Sequence, residues 1–348
     1  MKTLARTLEI ITPCLSGGAH PQKQAEIRAP SIRGQLRWWF RSLGGFKSML
    51  PRPVDAQEKA VFGHASAPDS QASPLVVRVW IEPPRSLGCH TARDAEGLRA
   101  PAGSDRDYLL FPLHNSARAV FDPPPFPRFN LELQWRGESG LGDDIEALLA
   151  VFGHWGSLGF RSRRALGALA FAHDPPPLAA ALPRFARPDR ILVKKMRAHD
   201  PNHAVTVLAQ WLKKWRAYGR TTGNQLNRFK PGFAFAKNDH DAGRNRRLNP
   251  TYRPALGLPI VQRFSGGGHP VRWEYGAGQP NHPRGRFASP VLLRPYRDAQ
   301  QQWLALVLFV DHHQWPDGHK VVVDGQPRTV SLDLYEAMKK DPALLAFP

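Results

Sequence analysis

The sequence predicts an α+β fold, and three observations carry that prediction. Alternating or β-branched segments, such as residues 74–81 and 129–135, are typical of strands. Amphipathic segments, such as residues 30–43 and 202–218, place apolar side chains three and four positions apart, which is typical of helices packed on a core. The 34 prolines and 29 glycines indicate long irregular connections, which argues against a helical bundle.

The first half of the chain predicts a βαββαβ order. Its main elements are strands over residues 4–11, 74–81, 129–135 and 168–171, a helix over 30–43, and a helix capped by Asp143 or Asp144 and ended by Gly153. A short helix over residues 56–62 and a short strand over 108–113 are also predicted. This order is that of the ferredoxin-like fold and of the RNA-recognition module.

A linker is predicted at residues 174–178, because a proline triplet continues neither a helix nor a central strand. We therefore expect two domains, residues 1–174 and 175–348. The elements of the second are strands over 191–195, 256–264 and 303–310, a helix over 202–218, a hairpin over 319–330 and a short helix within 331–347. Residues 228–253 lack apolar periodicity and predict a long loop that is either functional or disordered.

Composition and charge indicate a polyanion as partner. The chain has 48 basic and 29 acidic residues, a formal net charge of +19. Nucleic acid is the foremost candidate, since 10 tryptophans and 18 phenylalanines add stacking groups to the charge. Anionic membrane is the next, but no basic amphipathic helix with an exposed apolar face is recognisable. Two cysteines make no disulfide framework, and no long apolar run is present, so we expect a soluble cytoplasmic protein.

The helix over residues 30–43 carries two stripes. One is apolar, with Leu36, Trp39, Phe40 and Leu43 at helical spacing. The other is basic, and we call Arg33, Arg37 and Arg41 the arginine stripe. Like charges four residues apart destabilise a helix, and the segment contains no acidic partner. The stripe is therefore either a solvated face or, as we expect, a contact for an anion outside the helix.

A glycine-rich basic loop follows the second predicted helix. Glycines 153, 156, 159 and 167 surround arginines 161, 163 and 164, and the loop leads into the strand over 168–171. Glycine permits close backbone approach, and arginine offers a planar fork for phosphate. The loop predicts a phosphate-binding surface, with a solvated turn as the alternative. Residues 284–294 form a second glycine-arginine cluster ahead of a strand.

Catalytic and metal-binding patterns are weak. Cys14 and His20 could form a nucleophile and base, but no third orienting group is recognisable, and a buried cysteine is the favoured interpretation. His199-Asp200 and Asp239-His240-Asp241 only superficially match metal ligands, and adjacent histidines at 312 and 313 rarely share one metal. We expect no catalytic residues, no metal and no cofactor.

Together, several motifs resemble those of the RAMP superfamily of CRISPR-associated proteins. Residues 11–19 and 26–41 resemble the opening of its members, residues 156–167 its glycine-rich loop, and residues 286–294 its C-terminal strand motif. Within the superfamily the chain is most similar to the first subunits of type III-B (Cmr) effector complexes. The resemblance covers residues 8 to 309, and its most specific part is the segment with the arginine stripe.

The resemblance implies two tandem ferredoxin-like (RRM-like) domains with long loop insertions and a non-catalytic RNA-binding subunit of a ribonucleoprotein in antiviral defence. It implies contacts with crRNA near its 3′ end, with target RNA and with other Cmr subunits, and none with membrane. Target cleavage in that family belongs to another subunit with an aspartate in an early loop, whereas residues 16–30 contain only Glu26. The expected RNA-binding residues are Arg28, Arg33, Arg37, Arg41, Gly156, Gly159, Arg161, Arg163, Arg164, Arg284 and Arg286.

The alternative function is a metal-independent RNA-processing endonuclease of the same superfamily. Such nucleases use histidine as a general acid or base, and His20 is the candidate. Lys23 is the one nearby side chain that could assist it.

Overall fold

The computed structural model describes residues 2–66, 68, 70–81, 90–91, 98, 100, 104–110, 113, 118–122, 126–137, 139–218, 228–245, 249–262, 269–276 and 286–347. Helices and antiparallel strands alternate along the chain, so the α+β prediction is confirmed. Among the described residues, no helix is both long and apolar enough to cross a bilayer.

The first half contains the predicted elements with small shifts in their bounds. In chain order they are β1 (Lys2–Ile10), α1 (Ala29–Ser42), α2 (Val54–Phe62), β2 (Leu75–Ile81), β3 (His90–Thr91), α3 (Asp105–Leu110), β4 (Ala119–Val120), β5 (Arg128–Trp135), α4 (Gly142–Trp155) and β6 (Leu169–Phe171). Four strands form one antiparallel sheet in the order β2-β5-β1-β6. The strand predicted over residues 108–113 is wrong, because α3 occupies this position and begins with two aspartates that favour a helix N-terminus.

The second half contains two further sheets. Its elements are α5 (Leu178–Ala181), β7 (Ile191–Arg197), α6 (Pro201–Arg216), α7 (Phe233–Asn245), β8 (Ile260–Gln262), β9 (Val271–Tyr275), β10 (Val291–Arg297), β11 (Trp303–Val310), β12 (Lys320–Val323), β13 (Gln326–Thr329), α8 (Asp333–Lys339) and β14 (Leu345–Ala346). The second sheet has the order β10-β11-β7-β14. The third has the order β13-β12-β9-β8 and is built from two insertions, one before β10 and one after β11.

The predicted hairpin and the predicted long loop have opposite outcomes. The hairpin is confirmed as β12 and β13, joined by Asp324 and Gly325, both with positive φ. The long loop over residues 228–253 is wrong, because α7 lies within it. Asp239 of α7 is fully buried, and its carboxylate accepts backbone N–H bonds from Tyr252 at 2.9 Å and Arg253 at 2.7 Å. A polar side chain thus anchors this helix, which apolar periodicity does not reveal.

One hydrophobic core joins the first two sheets. It contains Leu8 of the first sheet, Leu306 of the second and Phe152 of α4. The sequence predicts one buried face for this helix, yet Ala150 and Val151 on its other sides are buried as well. Helix α4 is therefore covered from more than one side, and it positions the glycine-rich loop that follows it against the second half.

Candidate nucleic-acid interface

The arginine stripe runs along α1, beside α2. Arg37 and Arg41 side chains are 39% and 44% exposed, while Arg33 is half-buried and donates to the carbonyl of Phe62. Burial, with the nearby charge of Arg37, lowers the pKa of Arg33. Arg28 is exposed immediately before the first turn of α1. The stripe thus presents two partly exposed guanidinium groups and one that is tied to α2.

The arginine stripe has an anionic partner within the protein. The Glu58 carboxylate on α2 accepts from Arg37 Nε at 2.7 Å and from Arg41 Nη1 at 3.2 Å. Its side chain is only 10% exposed. An anion outside the helix is thus present within the protein itself, and contact of the stripe with RNA stays a prediction. One carboxylate pairs with two of the three arginines, so this part of the helix surface keeps a net positive charge.

The glycine-rich loop lies against the loop that follows β1. The amide of Phe160 donates to the carbonyl of Leu15 at 2.9 Å, and that of Gly167 donates to the carbonyl of Pro13 at 2.9 Å. Gly159 has φ +81°, and a side chain there would lie 2.7 Å from the Leu15 carbonyl oxygen. Glycine at this position is required by both conformation and space.

The two loop glycines predicted to bind RNA differ in exposure. Gly156 is buried at the C-terminus of α4, and its carbonyl accepts from Arg294, so its predicted RNA contact is wrong. Gly159 is exposed, as is Phe160, whose ring is 40% exposed and lies 4.8 Å below the guanidinium of Arg118. The outward part of the loop is therefore its 159–160 corner.

The arginines of the loop bind backbone carbonyls of the protein. Arg164 is buried and donates to the carbonyls of Val291 at 2.9 Å and Leu256 at 3.3 Å. Burial lowers its pKa well below the usual value. The prediction that Arg164 contacts RNA is wrong, because its guanidinium connects the loop to the second half of the chain.

Arg161 and Arg163 are less buried but similarly engaged. Arg161 donates to the carbonyl of Leu109 at 2.6 Å, and Arg163 donates to that of Ser289 at 2.6 Å. Burial lowers the pKa of each to about 10. Each guanidinium therefore already has one carbonyl partner within the protein, and contact of Arg161 and Arg163 with RNA stays a prediction.

Arg294 has a structural role that sequence reasoning missed. It lies on β10, is 1% exposed and donates to the carbonyls of Gly153, His154, Gly156 and Leu169 and to Ser157 Oγ. Several of these carbonyls belong to the C-terminus of α4, the negative end of the helix dipole. Burial lowers its pKa to about 9, so it remains charged at neutral pH. The feature of the sequence that indicates this buried position is a single charged residue within the apolar run over residues 291–296.

The arginine stripe and the glycine-rich loop meet at Trp38. The guanidinium of Arg163 lies 4.8 Å from the Trp38 ring centre. His313 stacks on the same indole, with ring centres 5.2 Å apart and planes 10° apart. These two basic elements, which are far apart in sequence, therefore lie next to one another. His313 is in the 3-10 turn Asp311–His313, so this contact also includes the second half of the chain.

Arg190 and His312 extend this region. His312 lies at the surface, and partial desolvation followed by the charges of Arg190 and Arg41 lowers its pKa, so its ring is mainly neutral at pH 7. For His313 the same burial, followed by Arg163, lowers the pKa to about 3, so its ring is neutral and packs on Trp38. We call Arg33, Arg37, Arg41, Arg190 and His312 the basic surface; it joins α1 to the second half of the chain.

The remaining candidates lie elsewhere. Arg286 is exposed ahead of β10, and Arg284 lies outside the described residues. Cys14 is buried, and burial raises its pKa to about 12, which agrees with a structural cysteine. His20 is exposed, and its carbonyl accepts the amides of Lys23 and Gln24. Within the described ranges, no group of three or more His, Cys, Asp or Glu side chains is arranged to hold a metal ion.

Comparisons with known proteins agree with the motifs. Residues 7–170 match the model of the RAMP superfamily. The CRISPR system Cmr subunit Cmr1-1 of Pyrococcus furiosus is 26% identical over 174 residues, which cover 48% of this chain and 44% of that protein. This match therefore spans less than half of the relative's length.

One solved structure shows a similar fold, and a second aligns more loosely. The crystal structure of Cmr1 from Pyrococcus furiosus in its apo form superposes with a TM-score of 0.52 at 15% identity, covering 88% of this chain and 87% of that chain. A chain of the type III-B Cmr-beta complex bound to cognate target RNA aligns with a TM-score of 0.45 at 10% identity over 97% of each chain. The resemblance indicated by the sequence motifs is confirmed: residues 7–170 match the model of the RAMP superfamily.

Proposed function

We propose that this chain is a non-catalytic RNA-binding subunit of a type III-B CRISPR (Cmr) ribonucleoprotein effector complex in antiviral defence. It would contact crRNA near its 3′ end, target RNA, or both. We further infer that both halves are ferredoxin-like units. The matching strand orders β2-β5-β1-β6 and β10-β11-β7-β14 support this inference, since each runs second, third, first and fourth among the four strands of its sheet, counted along the chain.

The observation that carries the proposal is the basic surface. Arg41 is exposed. Both Arg41 and Arg190 lie close enough to His312 for their charges to lower the pKa of that histidine. The two arginines come from α1 and from the 3-10 turn Pro188–Arg190, and the mainly neutral His312 between these elements in the cluster comes from the 3-10 turn Asp311–His313. A folded protein gains little from clustering like charges, whereas a phosphate backbone would be bound by them.

RNA binding by the basic surface predicts a steep salt dependence. Single-stranded RNA should lose affinity as salt rises, with log K falling by about 0.7 per log unit for each phosphate contacted. The double variant Arg41→Ala/Arg190→Ala should bind roughly tenfold or more weakly and with a shallower slope, because each charge-assisted contact contributes about 1.5–3 kcal/mol. Fluorescence anisotropy across a salt series measures both quantities.

The matched control is Arg272→Ala/Lys320→Ala, which removes the same charge from β9 and β12 of the third sheet, where both side chains are exposed. Co-expression with the other complex subunits, followed by sequencing of the bound RNA, tests assembly. If the basic-surface variant binds RNA and assembles as the control does, the proposed function loses its main support. Specific RNA cleavage that disappears in His20→Ala would instead favour the nuclease.

A further inference from the structure

The first sheet has a second face, opposite α1 and α4, that carries an exposed tryptophan. On β2, Val77, Val79 and Ile81 pack towards the core. Because side chains alternate along a strand, Trp80 points to the other face, where it is 46% exposed. A large exposed aromatic ring in a strand is a group for contact with a ligand or partner.

Polar side chains lie beside Trp80 on the same face. Trp80 pairs with Asn130 of β5, and Asn130 pairs with Thr7 of β1. The neighbours Phe129 and Leu8 are both buried in the core, so Asn130 and Thr7 face outward. Thr7 Oγ1 donates to Asn130 Oδ1 at 2.6 Å, which fixes the two side chains relative to each other.

These residues border a depression of about 450 Å³, within the usual range for small-ligand sites. Its lining is Ala5, Arg6, Thr7, Trp80, Asn130, His173 and Asp174. The strand order β2-β5-β1-β6 places Trp80 at one end, His173 and Asp174, which follow β6, at the other, and Thr7 and Asn130 on the floor between them. The strand spacing sets Thr7 about 10 Å from Trp80, which is wide enough for one planar heterocycle. The lining offers one aromatic ring and several hydrogen-bonding groups, a combination that suits a nucleobase.

We infer that this depression binds one unpaired base of a single-stranded nucleic acid, which stacks on Trp80 while its edge meets the polar floor. A net charge of +19 favours nucleic acid over other planar ligands. Four-stranded sheets with outward aromatic rings stack unpaired bases in this way. The site goes beyond the proposed function, because it lies on the opposite face of the sheet from the arginine stripe.

The test compares Trp80→Ala with Trp80→Phe, using labelled oligoadenylate and oligouridylate of about ten nucleotides, a length that single-stranded sites bind. Loss of one stacked base lowers affinity roughly 5- to 150-fold, so Trp80→Ala should weaken binding by that factor. The salt slope should stay unchanged, because no phosphate contact is lost. Trp80→Phe should keep most of the affinity. The control Val261→Ala removes another exposed apolar side chain, on β8, and should bind as the parent does.

Photocrosslinking of a 4-thiouridine oligonucleotide to the parent protein, with peptide mapping, gives a readout that needs no variant. The inference predicts crosslinks in β1, β2 or β5. Equal affinity of Trp80→Ala and parent, or crosslinks confined to other segments, would overturn it. Those results, together with weakened binding by Arg41→Ala/Arg190→Ala, would reject this site and leave the proposed function standing. Weakened binding by Trp80→Ala together with unchanged binding by Arg41→Ala/Arg190→Ala would reject the basic surface and retain the base site.

Discussion

Arginine has two physical roles in this chain, and burial separates them. Arg41 is partly exposed and shares one carboxylate with its neighbour, so much of its charge faces outward. Arg294 is buried and binds carbonyl groups at the end of α4. In the sequence, nothing about the residue type distinguishes these two arginines. Helical spacing identifies the exposed stripe, but it cannot reveal that Arg164 or Arg294 lies beneath the surface, because their acceptors are more than 90 residues distant.

Replacement of Arg294 by lysine should destabilise the fold. An ammonium group has three donors where the guanidinium has five, so at least two buried acceptors would lose their hydrogen bonds. Each unsatisfied buried group costs about 1–3 kcal/mol, which gives a loss of about 2 kcal/mol or more in the free energy of unfolding. Urea denaturation followed by circular dichroism measures this loss. The control Arg286→Lys alters an exposed arginine ahead of the same strand and should change the stability by less than about 0.5 kcal/mol. Equal stability of the two variants would show that Arg294 does not hold the loop.

At the scale of elements, strong apolar patterns predict helices and strands well, whereas an element held in place by a buried polar side chain is not predicted. Strands such as β11, an apolar run over Trp303–Val310, lie where the sequence predicts them. Helix α7 was missed because its buried carboxylate, Asp239, binds backbone amides 13 and 14 residues further along. The partner of the arginine stripe was missed for a related reason, since Glu58 lies on a different helix.

Replacement of Glu58 by glutamine should lower the stability of the fold while it raises the affinity for RNA. The change removes the carboxylate that Arg37 and Arg41 share, so the free energy of unfolding should fall by about 1 kcal/mol. The basic surface gains one unit of positive charge, and RNA affinity at low salt should rise by up to about fivefold. Urea denaturation and anisotropy with single-stranded RNA measure the two effects.

The control is Glu336→Gln, which makes the same charge change on α8, where Glu336 pairs with Lys339. Its RNA affinity should match the parent's, because its charge lies outside the basic surface. An equal rise in affinity for both variants would show that net charge alone is responsible. A fall in affinity for Glu58→Gln would mean that the ion pairs position the arginines for RNA.

At the scale of the whole molecule, the predicted division at residues 174 and 175 marks a change of sheet, yet one hydrophobic cluster spans both halves beside a second cluster around α6. The first sheet ends at Phe171, and the second begins at Ile191. Side chains of both sheets nevertheless pack into one cluster around α4. Local patterns could indicate two similar halves, but they could not show that the halves share an interior, because long-range packing leaves no periodic signal in either half.

A shared core predicts that the two halves unfold together. Separation would expose Phe152 and Leu306 and would leave Arg164 without its acceptors beyond the loop. Circular dichroism and tryptophan fluorescence should therefore report one coincident urea transition for the full chain. A fragment of residues 1–174 should be largely insoluble or lack cooperative unfolding, because α4 would lose the apolar surface that the second sheet covers. Two separate transitions, or a fragment as stable as the full chain, would show that each half folds on its own core and that the α4 contacts are a docking surface between independent domains.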